Sequence, residues 1–123
     1  MVLVDTSIWV AHFKQTNPTL IHLLTTDTVL THPMVIGELA CGTPPEPRQQ
    51  TLSDMALLQS VNHASLAEVR HVIETEQLFG LGCGLIDLIL LASTLITPGA
   101  RLWTLDKRLA KLAHRFDVHY SAN

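Results

Sequence analysis

The stretch from position 85 to 96, Leu-Ile-Asp-Leu-Ile-Leu-Leu-Ala-Ser-Thr-Leu-Ile, is apolar almost all the way round a helix. A helix without a polar face belongs in the interior of a domain. It falls well short of the ~20 residues a membrane crossing requires, and it carries Asp87 within it. Gly80, Gly82 and Gly84 form a flexible joint before it and Pro98-Gly99 stops it. Elsewhere, apolar runs short enough for strands alternate with longer helical patterns, which argues for βα units. The expected class is α/β, with a mainly parallel central sheet flanked by helices.

At 123 residues the chain reads as a single domain over positions 1–123, large enough to bury a core without disulfide staples or a structural zinc. Apolar residues are 47% of the total and charged ones 15%, the opposite of a disordered profile. Cys41 and Cys83 have neither CxxC spacing nor paired histidines, so a disulfide framework or zinc ribbon is not expected. Met1-Val-Leu-Val-Asp5 lacks a basic flank and a cleavage site, so no signal peptide or membrane association is expected and the protein reads as cytoplasmic. Five of the eight Lys and Arg residues follow position 100, giving a basic end to a chain of net charge −3.

The alternation can be followed along the chain. Val2-Leu-Val4 reads as a buried strand ending at Asp5, with Thr6 and Ser7 opening a helix. Asn17-Pro18 caps a second helix, and Thr28–Thr31 is the next strand. Pro33 starts the short helix that carries Glu38 and ends before Gly42. A helix over 48–58, a short strand over 60–63, and a capping box at Ser65-Leu-Ala-Glu68 opening a helix through Leu78 follow. After the apolar helix come a strand over 101–104, a helix over 107–115 preceded by Asp106, and a last strand over 118–120.

In such sheets ligands bind beyond the carboxyl ends of the strands, where the strand order reverses. Asp5 and Asp106 each end a strand, and Glu38 lies within two turns of another. Asp87 sits among apolar neighbours where an unpaired carboxylate is costly unless it neutralises or finds a cation. Four converging carboxylates repel one another, and all-oxygen ligation suits a hard divalent cation, Mg²⁺ or Mn²⁺. Such a site commonly hydrolyses phosphodiesters. Taken singly, Asp5 and Asp106 are equally well explained as helix caps and Glu38 as a solvated helix residue, whereas solvation explains Asp87 poorly. Ser7 and Thr104 read as caps or backbone partners, with support of the carboxylates as the alternative.

Lys107, Lys111 and Arg115 recur every four residues with Arg108 beside them, a stripe able to contact nucleic-acid phosphates or simply to face solvent. The seven histidines show no HExxH spacing and are given no role. Trp9, Trp103 and Phe116 read as core or interface residues. Gly80-Leu-Gly-Cys-Gly84 does not follow a strand, and no GxxxxGK[ST] occurs, so a P-loop is excluded.

Four segments in order, Val4-Asp-Thr-Ser-Ile-Trp-Val10, Ile36-Gly-Glu-Leu39, positions 84–93 and Leu102-Trp-Thr-Leu-Asp-Lys-Arg-Leu109, resemble the successive motifs of PIN-domain ribonucleases, in particular the VapC toxins of type II toxin–antitoxin systems. The resemblance implies a parallel-sheet, PIN-like domain that binds Mg²⁺ and cleaves RNA, with Asp5 and Asp87 as principal metal ligands and Glu38 and Asp106 completing the pocket. It further implies a cognate VapB-like antitoxin and a homodimer. Many relatives carry an acidic residue or Asn just after the last Asp, where this chain has Lys107 and Arg108. That departure bears on a second metal position. Two other readings remain: a non-catalytic PIN-like module that binds RNA or protein, and an aspartyl phosphotransferase or receiver domain. The latter is disfavoured because Asp5-Thr-Ser7 lacks a second Asp.

Overall fold

The computed structural model describes residues 1–122. Among the described residues, four parallel strands and seven helices follow one another as β1 (Val2–Val4), α1 (Thr6–Lys14), α2 (Pro18–Thr25), β2 (Val29–Thr31), α3 (Pro33–Cys41), α4 (Arg48–Ala56), β3 (Gln59–Ser60), α5 (Leu66–Thr75), α6 (Leu85–Leu95), β4 (Arg101–Trp103) and α7 (Lys107–Arg115). The expected α/β class with a parallel sheet is what the chain forms. The sheet order is β3-β2-β1-β4, so the first three strands progress to one side and the chain then crosses back to lay β4 on the other side of β1. The order therefore reverses at β1, between Asp5 and Thr104.

Strand β1 is central and wholly buried, in register Leu3 to Leu30 of β2 and Leu3 to Leu102 of β4. Helix α6 supplies the largest share of one covering layer. Its residues from Leu88 to Thr94 are buried, and each fully buried leucine contributes about 1.5 to 3 kcal/mol. The two polar side chains in that buried run are satisfied: Ser93 Oγ accepts from Ala64 N–H at 3.1 Å and Thr94 Oγ1 donates to Leu90 C=O at 2.8 Å. Burial does not extend through the first turn. Leu85 is 54% exposed, at the end of the helix that carries Asp87, and the C-cap Ile96 at the other end is 40% exposed. Trp9 and Trp103 belong to the core and Phe116 packs partly buried against it, as expected.

Three expected boundaries differ. Helix α5 stops at Thr75 because Gln77 takes a left-handed conformation (φ 56°), and the Leu78 N–H then closes on Ile73 C=O at 2.9 Å, delivering Leu78 to the core. The strand expected over 60–63 shrinks to Gln59–Ser60. Ser60 Oγ lies 2.6 Å from His63 Nε2, and Asn62 turns away to the end of α6, its N–H on Thr97 Oγ1 and its amide on Ile96 C=O. The expected last strand is reduced to one parallel bridge, Leu102 to His119.

The helix that carries Glu38 begins on a histidine. His32 precedes Pro33 in extended conformation, and its Nδ1 accepts the Met34 N–H at 3.0 Å, which caps α3. That bond requires a neutral ring at Nδ1. His32 is 4% exposed, and burial together with the nearby His63 lowers its pKa from 6.5 to about 4. Since the unfolded chain binds a proton between those values and the folded chain does not, stability should fall as pH drops from 6.5 towards 4, by roughly 2 to 3 kcal/mol at most. Urea titrations at pH 7 and 4.5 check this: His32→Asn, which keeps a capping acceptor, should lose that much less stability across the interval than the parent. An equal loss in both would place the pH dependence elsewhere.

Candidate active site

The carboxyl edge of the sheet gathers the acidic side chains. Asp5 follows β1 directly and is 5% exposed, yet its side chain makes no cap bond to α1. It is held instead by two hydroxyls on one oxygen: Ser7 Oγ donates to Asp5 Oδ2 at 2.6 Å and Thr104 Oγ1 donates to the same atom at 2.7 Å. Each hydroxyl is itself fixed by backbone, Ser7 Oγ accepting from Leu105 N–H and Thr104 Oγ1 from Asp106 N–H, both at 3.0 Å. The consequence is a buried carboxylate whose orientation is set from both flanking elements. Of the two sequence readings of Asp5, the cap is therefore excluded.

Asp106 goes the other way. Its Oδ1 accepts the Leu109 N–H at 2.9 Å, so it is the N-cap of α7, and it lies exposed at the rim. Capping engages one oxygen only. Glu38, half-buried on α3, accepts a hydrogen bond from Thr6 Oγ1 at 2.6 Å, which pins it to the start of α1 and rules out the reading as a freely solvated residue. Thr6 was not singled out by the sequence, although its place directly after Asp5 and at the first position of α1 was the available signal.

Asp87 stands at the third position of α6, half-buried, with Oδ2 on the Gly84 N–H at 3.4 Å. Its pKa is raised, first by burial and then by the negative charge of Asp5, Asp106 and Glu38, against the lowering effect of the Gly84 bond. The four carboxylates from four different elements thus share one electrostatic environment. Cys83, the neighbouring thiol, is likewise raised by burial and by Asp87 and Asp106, with Arg108 acting in the opposite sense. The acids are gathered but open: among the described residues, no three His, Cys, Asp or Glu side chains close on a common point at ligating distance.

That openness fits one class of ion. Mg²⁺ keeps several waters and takes one or two protein carboxylates rather than a full protein cage. The donors here are all carboxylate oxygens, and both hydroxyls at Asp5 fall on Oδ2, leaving Oδ1 without a donor among the described residues. A divalent cation would also offset the repulsion that raises Asp87.

The basic stripe is not uniform. Arg115 pairs with Glu76 at 3.3 Å and donates to the Glu76 carbonyl at 3.0 Å, whereas Arg108 lies across Gly82 and Lys107 and Lys111 are exposed. Arg48, given no role by the sequence, ties down the end of α3 by donating to the carbonyls of Ala40 (2.6 Å) and Gly42 (3.1 Å).

The family model described as PIN domain matches residues 2–115. Two curated relatives, both named Ribonuclease VapC32 and coming from Mycobacterium tuberculosis strains CDC 1551 / Oshkosh and ATCC 25618 / H37Rv, are each 40% identical over 109 residues, covering 89% of this chain and 87% of theirs.

Two substitutions separate capping from charge. Asp106→Ala should cost about 0.5 to 2 kcal/mol by removing the α7 cap, while Asp106→Asn should cost little. Because the folded pKa of Asp87 lies above its unfolded value, its ionised form opposes folding and stability should rise as pH falls through that raised pKa. Asp87→Asn should accordingly raise or preserve the melting temperature in EDTA at pH 7; a clear drop would mean that the charge is structural.

Proposed function

The chain belongs to the PIN-domain family, in its VapC branch, and on that premise we propose that it is the toxin of a type II toxin–antitoxin pair, an endoribonuclease that hydrolyses RNA phosphodiester bonds with the help of Mg²⁺, or Mn²⁺ in its place. The observation that supports this reading most strongly is the pinned, buried Asp5 at the strand-order reversal, with Asp87, Glu38 and Asp106 in electrostatic reach of one another around it. Asp5 and Asp87 are proposed as the principal ligands, with Glu38 and the free oxygen of Asp106 completing the acidic pocket.

When bound, the ion would supply a water acidified for in-line attack and would offset charge on the phosphate and leaving oxygen. The chain's own residues do the rest. Ser7 and Thr104 hold Asp5 at one angle, so no reorganisation is needed when substrate arrives. Thr6 holds Glu38 against α1, and the Leu109 N–H holds Asp106 at the mouth of α7. Burial keeps Asp87 poorly hydrated, which strengthens its attraction to any cation placed beside it.

The same reading includes a single domain over 1–123, a VapB-like antitoxin as partner, a homodimer, and action in the cytoplasm. Among the described residues no helix is long and apolar enough to cross a membrane.

The test is cleavage of total cellular RNA by the partner-free protein in Mg²⁺ or Mn²⁺ against EDTA, with new 5′ ends mapped by sequencing. Discrete metal-dependent ends are expected, absent with Asp87→Asn. Thr104→Val, which keeps the shape but removes one donor to Asp5, should lower the cleavage rate about 10- to 100-fold. A folded, partner-free protein that neither cleaves RNA nor binds Mg²⁺ would instead be a non-catalytic binding module.

A further inference from the structure

A groove of about 510 Å³ runs along the outer side of α7, lined by Leu81, Arg108, Lys111, Leu112 and Arg115. Three of its five side chains are cationic. Among the described residues the one ion pair is Arg115 with Glu76, whereas Arg108 and Lys111 have no acidic partner within 4 Å. The groove meets the acid cluster through Arg108. This side chain lies flat over Gly82, where an added Cβ would come within 2.9 Å of its Cδ and Nη1, and Nη1 donates to the Gly82 carbonyl at 3.4 Å. Gly82 is two residues from Gly84, whose N–H reaches Asp87, and Arg108 is two residues from Asp106.

A second groove, of about 470 Å³, opens on the opposite flank of the acids between α1 and α3, with Phe13, Leu39 and Pro44 in its wall. It offers one cation, Lys14, and one anion, Glu38. Of these two grooves, the one along α7 is the one that favours a polyanion.

Resting on the ribonuclease reading above, we propose that single-stranded RNA leaves the acid cluster along the α7 groove, its phosphates on Arg108 and Lys111 and its sugars against the exposed Leu81. Arg115 is the wall that Glu76 holds in place, and Lys107, outside the groove, takes no part. Among the described residues no aromatic side chain lines the groove, so bases find no aromatic stacking platform there, and its contacts set affinity and register rather than sequence preference. Glycine suits position 82 because its φ is +86°, a conformation L side chains rarely adopt.

The test is fluorescence anisotropy of a labelled, unstructured RNA oligonucleotide with the full chain carrying Asp87→Asn, as a function of KCl concentration. Arg108→Gln and Lys111→Gln, which keep the aliphatic stems, should each weaken binding roughly 3- to 10-fold and lower the log–log salt slope by about 0.7, the value for one phosphate contact on a single strand. Lys107→Gln, Arg115→Gln and Lys14→Gln should leave the slope unchanged, and melting curves confirm folding of every variant. Unchanged slopes for Arg108→Gln and Lys111→Gln, with the parent chain still cutting RNA, would overturn this path while leaving the ribonuclease reading intact. A reduced slope for Lys14→Gln would move the strand to the α1–α3 groove. If both variants keep RNA binding but lose binding of poly-glutamate, the groove is a protein dock. A parent chain that neither binds nor cuts RNA would overturn both readings.

Discussion

The arrangement at the carboxyl edge depends on β1 being the central strand. With β2 and β4 hydrogen-bonded on either side, Val2, Leu3 and Val4 are buried, and the next residue, Asp5, emerges at the place where the strand order reverses. A carboxylate in that position is expensive to desolvate. The two hydroxyls of Ser7 and Thr104 offset that cost on one oxygen, and because Thr104 follows β4 they also fasten the two halves of the chain across the sheet. Other parts of the acid cluster are set from this point: Thr6, one residue on, positions Glu38, and the Thr104 hydroxyl receives the N–H of Asp106.

Stability and chemistry pull against each other here. The core is ordinary close-packed apolar material, while the edge carries four acids, of which Asp87 has its pKa raised first by burial and then by the charge of the other three. The fold carries that strain on rigid elements. Each acid stands at the end of a strand or in the first turns of a helix, and each helix start is held by a specific cap or backbone contact. Helix α3, which carries Glu38, begins on the buried His32, so the placement of one acid is tied to an imidazole that must stay neutral.

The basic side of the molecule shows why spacing alone is a poor guide to function. Lys107, Arg108, Lys111 and Arg115 form one stripe in sequence, but in the folded chain Glu76 captures Arg115 and Gly82 seats Arg108, so that the four residues end in different environments. The Gly80–Gly84 joint, which lacks a dinucleotide-binding pattern, turns out to be the bed on which Arg108 lies.

Local chemistry was legible in the chain itself. Short apolar runs, Asn17-Pro18, the Ser65–Glu68 box and the apolar helix after Gly84 state their own secondary structure, because caps and periodicity act over a few residues. For the same reason Asp5, Glu38, Asp87 and Asp106 could be picked out, as strand-ending or misplaced acids within motifs that resemble the family. What sequence could not decide is anything that needs a partner far along the chain. Whether Asp5 caps a helix or is held for other use depends on Thr104, 99 positions away, and whether Glu38 is solvated depends on Thr6, 32 positions away. The end of α5 and the shortening of the strands expected at 60–63 and 118–120 were decided by where Leu78, Asn62 and His119 had to go once the core and α6 were in place. Local propensity is worth only about a few tenths of a kcal/mol per residue, and tertiary burial and long-range hydrogen bonds outweigh it at these positions.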